Sequence, residues 1–163
     1  MTEILNAENS NHFKRVAHLA REIWTEHYTP IIGSEQVNYM LEKFQSESAI
    51  GQQVLDGTEY CLLVHDHKDA GYFSHYLKDK HLFLSKLYVA KSHRGLGIGK
   101  KALEAIIKRA QNFKCDKIEL TVNKYNTNSI HAYEKMGFIN INSIVQDIGN
   151  GYVMDDYVMQ KNI

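Results

Sequence analysis

The sequence predicts an α/β fold in which a mixed, mostly antiparallel central sheet is flanked by helices. Apolar residues recur at helical spacing through the first third of the chain, and short β-type runs separated by polar turns follow them. Helical and strand patterns then alternate to the end of the chain. A chain of 163 residues can bury one continuous core, so we expect a single domain that spans residues 1–163.

The first third of the chain predicts helices. Its apolar positions follow the spacing i, i+3, i+4 and i+7, and they are Phe13, Val16, Ala17, Ala20, Ile23 and Trp24. Three capping-type residues precede them, namely Asn9, Ser10 and Asn11. Pro30 is expected to separate this helix from the next. Ser34 opens the second helical pattern, and Ile50 and Val54 indicate a further helical stretch.

The remaining elements follow from changes of period along the chain. Strands are predicted at residues 3–6, 59–65, 70–77, 82–89, 117–122, 138–146 and 152–160. Polar turns at 67–69 and 78–80 predict that the second to fourth strands form an antiparallel meander. Helices are predicted from Gly97 onward and over residues 128–136, where Gly137 is the favoured kind of C-terminal cap.

Composition and charge argue against several classes of function. Hydrophobic residues make up 44% of the chain, which is too many for intrinsic disorder. The 19 Lys and Arg residues balance the 19 Asp and Glu residues, so no global basic field favours nucleic acid or a membrane surface. The N-terminus lacks the pattern of a signal peptide, and no apolar run approaches the ~20 residues that cross a bilayer. We therefore expect a cytoplasmic protein.

The cysteines and histidines predict neither a disulfide framework nor a metal site. Cys61 and Cys115 are too few for such a framework. His65 and His67 alternate beside a turn, but a zinc site needs two further ligands that the sequence does not place. We expect solvated histidines and no bound metal.

A glycine-rich turn between a strand and a helix carries the chemical signal. It reads Arg94-Gly95-Leu96-Gly97-Ile98-Gly99-Lys100 and follows the strand at 82–89. Unpaired backbone N–H groups and the positive end of the helix dipole converge at such a turn, so it is suited to bind a phosphate group. The residues do not fit a P-loop, because Lys101 stands where that motif has Ser or Thr. They also lack the third glycine of a dinucleotide fingerprint.

Two segments resemble one family. Arg94, Gly97 and Gly99 match the Arg-x-x-Gly-x-Gly pattern of the GNAT superfamily of acetyl-CoA-dependent N-acyltransferases. Residues 126–138 resemble that superfamily's second signature, in which an Asn lies seven residues before a Tyr and a Lys-x-Gly-Phe ending follows. The helices at the N-terminus and the ending at 149–159 are similar to bacterial GNAT proteins of the polyamine N-acetyltransferase (PaiA-like) type.

The resemblance implies a binding site for acetyl-CoA as co-substrate. The backbone of Leu87, Tyr88 and Val89 would pair with the pantetheine arm where the strands at 82–89 and 117–122 splay apart. The amides of the turn would hold the pyrophosphate, and its members are Arg94, Gly95, Leu96, Gly97, Ile98, Gly99 and Lys100. The side chains of Arg94 and Lys100 would add contacts to phosphate, and Asn126 and Ser129 would contact the cofactor from the other side of the cleft.

The implied chemistry is direct transfer, in which a neutral amine attacks the thioester carbonyl and a thiolate leaves. Tyr133 is the candidate general acid, since a phenol with an ordinary pKa near ~10 stays protonated at neutral pH. A backbone N–H near Val89 is the candidate donor to the oxyanion. The base is left open between Glu119, Glu35 and a chain of waters. No acyl-enzyme is required, so the cysteines need no catalytic role.

The acceptor is expected to be a primary amine of a small molecule, with a polyamine-like substrate favoured over a protein amine. Four residues of the helical cover are candidates to bind it: Trp24, Tyr28, Glu35 and Tyr39. Trp24 and Tyr28 are equally compatible with a core role. Asp155 and Asp156 are expected at a solvated strand edge, with a cation-binding role as the alternative. A homodimer and a non-catalytic acetyl-CoA-binding regulator are left open.

Overall fold

The computed structural model describes all 163 residues, which form seven strands and five α-helices. The strands are β1 Thr2–Asn6, β2 Glu59–His65, β3 Lys68–Lys78, β4 His81–Val89, β5 Lys117–Asn123, β6 Ile139–Gly149 and β7 Tyr152–Asn162. The helices are α1 Ser10–Ile32, α2 Ser34–Phe44, α3 Glu47–Leu55, α4 Ile98–Asn112 and α5 Thr127–Lys135. None of these helices combines the length and hydropathy needed to cross a membrane.

The strands form one sheet with the order β1-β2-β3-β4-β5-β7-β6. Strands β1, β2 and β3 pair antiparallel, as do β5, β7 and β6, whereas β4 and β5 are parallel. The parallel pair follows from chain connectivity, because α4 is the crossover that a strand needs before it can pair parallel with its neighbour. The predicted α/β fold class is therefore confirmed.

The chain divides into two compact units, each with its own interior. The first unit comprises Met1–Tyr76 and Lys86–Ile106, and the second comprises Leu77–Ser85 and Ile107–Ile163. Strand β4 and helix α4 are each divided between the two units. The single domain expected from the chain length stays a prediction.

The first unit is organised around the apolar stripe of α1. Val16, Leu19 and Ile23 are 0–2% exposed, and Leu62 and Phe73 are fully buried on the strands. Each such side chain stabilises the fold by at most about 1.5–3 kcal/mol. Of the three capping-type residues, Asn9 is the cap, since its side chain accepts a hydrogen bond from the His12 N–H at 3.0 Å.

Pro30 does not separate two helices, so that prediction was wrong. It lies inside α1, which continues to Ile32 and ends at Gly33 with a φ of 86°. Proline lacks only its own N–H, and so near the end of a long helix it removes a single hydrogen bond. Gly33 ends the helix instead, because its positive φ turns the backbone away while its N–H still reaches the Thr29 carbonyl at 3.0 Å.

The turn between β2 and β3 lies one residue earlier than predicted. Asp66 and His67 have φ angles of 48° and 66°, the positive pair that a two-residue hairpin requires. The expected solvation of His65 was also wrong, since its side chain is 19% exposed and its Nδ1 lies 2.9 Å from the Thr2 hydroxyl. His67 is exposed, as expected.

The second unit is built on the antiparallel ladder of β5, β7 and β6. Ile118, Leu120 and Met159 form its buried centre. Helix α5 ends as predicted, with Gly137 at a φ of 93°. The predicted turn at 149–151 is confirmed, since all three of its residues have a positive φ.

Gly71 on β3 should be the least tolerant glycine of the first unit. A Cβ added there would lie 2.2 Å from the Tyr88 carbonyl oxygen, and backbone cannot move aside cheaply. We expect Gly71→Ala to lower the free energy of unfolding by about 1–3 kcal/mol or more. The matched control is Gly51→Ala in α3, where the new methyl would meet the Phe13 ring at 3.5 Å. That change should raise stability by up to about 1 kcal/mol, as measured by urea denaturation. Equal effects in the two variants would contradict this account of β3.

Candidate functional site

The glycine-rich turn leaves open space at the start of α4. Gly95 and Gly97 have φ angles of 80° and 76°, which side-chain-bearing residues rarely adopt. A Cβ built on either glycine would meet no atom within 4 Å. The backbone is therefore accessible to a ligand that approaches this turn.

The first amides of α4 meet the requirements of an anion site. The Lys101 N–H is bonded to the Gly97 carbonyl at 3.0 Å, so the amides of Ile98, Gly99 and Lys100 precede the first intrahelical bond. They lie at the positive end of the helix dipole, where phosphate binds readily. Lys100 is exposed beside them, whereas the Lys101 ammonium donates to the Thr2 carbonyl at 2.5 Å.

Arg94 makes contacts within the first unit that the sequence did not predict. Its Nε donates to the Val89 carbonyl at 3.0 Å, and its two terminal nitrogens lie 3.3 and 3.2 Å from the Glu26 carboxylate. The guanidinium thus connects the turn to the end of β4 and to α1. A phosphate contact from this side chain stays a prediction.

The end of β4 presents backbone groups toward two edges. On one edge the Ala90 N–H donates to the Ala70 carbonyl at 2.7 Å, and the Tyr88 carbonyl faces Gly71. Because backbone groups alternate along a strand, those of Leu87 and Val89 point to the opposite edge. The pairing of β4 with β5 ends at Phe83, so it does not extend to Leu87 and Val89.

The predicted acceptor residues separate into two sets. Trp24 and Tyr28 are 3% and 8% exposed and pack edge-on against each other and against Tyr88. The Tyr28 and Tyr88 hydroxyls are hydrogen-bonded at 3.0 Å, which favours the core reading of this cluster. Glu35 is exposed in the first turn of α2, and Tyr39 accepts a hydrogen bond from the Lys43 ammonium at 3.1 Å.

A buried chain of hydrogen bonds supports the same unit. Tyr72 donates to Gln45 at 2.7 Å, Gln45 donates to the Tyr60 hydroxyl at 2.9 Å, and Tyr60 donates to Gln53 at 2.5 Å. Burial raises the pKa of Tyr60 to about 12 and the pKa of Tyr72 well above its ordinary value. These phenols keep their protons and hold strands to helices.

Lys86 on β4 is a group that sequence reasoning missed. It is half-buried, and loss of water around its ammonium lowers its pKa to about 8. It is two residues before Tyr88, so the two side chains lie on the same face of the strand. A lysine within a largely apolar strand was the feature of the sequence that could have indicated it.

The second unit positions the residues of the second signature. Asn126 is 4% exposed, and its side chain accepts a hydrogen bond from the Ser129 N–H at 3.4 Å, so it caps α5. Tyr133 is half-buried on α5 and packs edge-on against Phe138, with ring centroids 5.4 Å apart. Glu119, a candidate base, also lies in this unit, and the Gln160 amide contacts its carboxylate at 3.4 Å.

Asp156 contradicts the expectation of a solvated edge. It is 3% exposed, and β7 has β5 on one side and β6 on the other, so β7 is not an edge strand. Its Oδ1 is buried with no hydrogen-bond partner. Asp155 points to the opposite face, where its carboxylate pairs with the Lys124 ammonium at 2.8 Å. The available signal was that Asp156 alternates with the apolar Met154 and Val158.

Known proteins match both the sequence and the fold. The probable spermine N(1)-acetyltransferase of Bacillus subtilis subsp. natto (strain BEST195) is 34% identical over 62 residues, which are 37% of this chain and 41% of that protein. N-alpha-acetyltransferase 30 of Saccharomyces cerevisiae (strain ATCC 204508 / S288c) is 39% identical over 57 residues, 35% of this chain and 32% of that protein. The matched segments thus cover less than half of these curated relatives.

The fold has a close counterpart among solved structures. The PaiA N-acetyltransferase from Thermoplasma acidophilum, solved in complex with coenzyme A, superposes with a TM-score of 0.84 at 18% identity, covering 100% of this chain and 99% of that chain. Residues 14–138 match the model of the acetyltransferase (GNAT) family. That range is well over half of the chain and includes the glycine-rich turn, the end of β5 and all of α5. The chain therefore belongs to the acetyltransferase (GNAT) family.

Proposed function

We propose that this chain is an acetyl-CoA-dependent N-acetyltransferase that acts on the primary amine of a small molecule. The observation that carries the proposal is the open glycine-rich turn at the start of α4, in a chain that belongs to this family. The unpaired amides of Ile98, Gly99 and Lys100 suit a diphosphate, which needs several donors at one point. No covalent acyl-enzyme is needed.

The backbone and side chains present fit acetyl-CoA, which supplies an activated acetyl group when it is bound. The turn from Arg94 to Lys100 would hold the pyrophosphate. The outward backbone groups of Leu87 and Val89 would hydrogen-bond the pantetheine arm, and the Val89 N–H would also donate to the developing oxyanion. Asn126 and Ser129 would supply further polar contacts.

Tyr133 is proposed to donate its proton to the leaving sulfur. A phenol remains protonated at neutral pH and yet can release its proton to a strong thiolate base as that base forms. The packing against Phe138 holds the ring in one orientation. The buried Tyr60 and Tyr72 are excluded from this role, since their hydroxyls are engaged in the buried chain with Gln45 and Gln53.

A polyamine-like acceptor is favoured by the relatives named for spermine acetylation. Among the candidate residues, the exposed Glu35 is the one group with a negative charge to attract a second ammonium. Trp24 and Tyr28 contribute through the core rather than by direct contact. The yeast relative favours a second candidate, the terminal amine of a peptide.

The proposed activity is tested by the release of free thiol from acetyl-CoA in the presence of amines. We expect spermidine to release thiol in proportion to enzyme, with a KM that rises with ionic strength because charge attraction is screened. A peptide with a free N-terminal amine, assayed in parallel, tests the second candidate. Binding of acetyl-CoA with no amine-dependent thiol release from spermidine, peptides or amino acids would instead indicate a regulator.

The anion site is tested by a matched pair of substitutions at Gly97. Asp and Asn both tolerate the positive φ of this position, and open space surrounds it. Only Asp places a negative charge where the pyrophosphate would lie. We expect Gly97→Asp to weaken acetyl-CoA binding at least ~10-fold more than Gly97→Asn in calorimetry, a difference of about 1.4 kcal/mol. Equal affinities would mean that the pyrophosphate binds elsewhere.

The proton donor is tested by Tyr133→Phe. This change keeps the ring and its packing but removes the proton, so kcat should fall by roughly 10²–10⁴-fold, while the Kd of acetyl-CoA stays the same. Tyr152→Phe at the start of β7 is the control and should leave kcat unchanged. Full activity of the Tyr133 variant, when chemistry limits the rate, would dismiss Tyr133 as the acid.

A further inference from the structure

Asp156 is a buried carboxylate in the interior of the sheet of the second unit. The residue is 3% exposed, and its Oδ1 has no hydrogen-bond partner. A buried carboxylate oxygen without a partner is costly, and a catalytic role is one reason why native proteins retain such a group. The unmet hydrogen-bonding capacity of Oδ1 suits a ligand that brings a donor, and an amine or ammonium is such a ligand.

The position of Asp156 coincides with the carboxyl end of β5. Its cross-strand partner there is Asn123, the last residue of β5, and paired residues point to the same face. Asn123 is also buried, and its Oδ1 accepts from the Tyr125 N–H at 2.9 Å. The turn that follows leads directly into α5, with Asn126 at its cap and Tyr133 on its body. Ligands of α/β folds commonly bind at the carboxyl ends of strands.

The charges around Asp156 leave it as the carboxylate available to a cation. On its own strand, Asp155 lies on the opposite face and pairs with Lys124 from the segment after β5. The partner on β6 is Ile144, which carries no charge. Burial first, and then repulsion by Asp155, raise the pKa of Asp156 to about 6, although Lys124 opposes the shift. Asp156 is therefore ionised at neutral pH and is a stronger base than an ordinary aspartate.

We infer that Asp156 is the proton acceptor for the amine substrate, an inference that rests on the proposed function. Asp156 would bind the incoming ammonium through Oδ1 and take one proton from it, which leaves a neutral nitrogen with a free electron pair. That pair forms the new C–N bond as the C–S bond breaks, and Tyr133 protonates the sulfur. The second proton of the nitrogen restores Tyr133. Asp156 then returns its proton to water, so one proton is released per turnover.

Other titratable groups fit this role less well. Lys86 also has a shifted pKa, but in its charged form it would repel an ammonium. Glu119 is contacted by the Gln160 amide, and Glu35 is exposed to solvent on α2. The sequence did not identify the catalytic base. The inference assigns that role to Asp156, which the sequence had predicted to lie at a solvated strand edge.

The test compares Asp156→Asn with the unmodified enzyme over pH 5–10, using an amine that the unmodified enzyme acetylates. The unmodified enzyme should lose kcat/KM below about pH 6, where Asp156 becomes protonated. At pH 7, Asp156→Asn should lower kcat/KM by ~10²-fold or more. The defect should shrink toward pH 10, because the free amine then needs no base. A loss that is equal at every pH would show a structural role and overturn the inference.

Asp155→Asn is the matched control on the same strand. It removes a carboxylate of the same size from the opposite face. We expect kcat/KM at pH 7 to change less than ~3-fold, because the Lys124–Asp155 pair that is lost lies away from Asp156. Its acid limb should move to lower pH, since Asp155 no longer repels the Asp156 charge. Asp156→Glu retains a carboxylate and should keep more activity than Asp156→Asn. This comparison tests the inference even if the Asn variant folds poorly.

Thermal unfolding of the ligand-free protein supplies a readout that is independent of turnover. A carboxyl whose pKa is raised on folding binds more protons in the folded state, so its contribution to stability is greatest below its unfolded pKa near 3.8 and is lost as pH rises through about 6. The Tm of Asp156→Asn should therefore exceed that of the unmodified protein by more at pH 7 than at pH 4.5. A pH-independent difference would contradict the buried, unpaired state of Asp156. If the unmodified enzyme acetylates no amine, the proposed function fails, and this titration still reports on Asp156.

Discussion

The passage from β4 into α4 depends on backbone conformations that side chains oppose. Gly95 and Gly97 take positive φ angles, and with them the chain turns from a buried strand into a helix without covering the helix N-terminus. Helix α4 is also the crossover that makes β4 and β5 parallel. One short glycine-rich segment thus determines the strand direction and leaves a set of unpaired amides accessible.

The end of strand β4 packs closely against strand β3. Gly71 lies so close to the Tyr88 carbonyl that no side chain fits, and the Ala90 N–H is bonded to β3. The Tyr88 ring meanwhile packs against Trp24 and Tyr28 of α1. These contacts fix the end of β4 against β3 and α1, and Arg94 links the turn back to α1 through Glu26.

Two buried polar features contrast in this structure. In the first, Tyr60, Tyr72 and Gln45 satisfy one another, and such a network stabilises and specifies a core. In the second, the Oδ1 atom of Asp156 is buried without a partner. Because the fold supplies no donor to this carboxylate oxygen, the proposed role assigns that donor to the amine substrate.

The sequence by itself determined the local features of this protein. The glycines at 95 and 97, the cap at Asn9 and the turn at 149–151 act through the backbone conformation of a few neighbouring residues, and periodicity then places the helices and strands. Only the tertiary structure decided which polar side chains lose water and which charges meet. Glu26 and Arg94 are far apart in sequence, and Asp156 is buried on β7, which lies between β5 and β6 rather than at an edge. Pro30 illustrates the same limit, since helix α1 continues past it to Ile32. Burial and pairing depend on strand order and long-range packing, which no local pattern encodes.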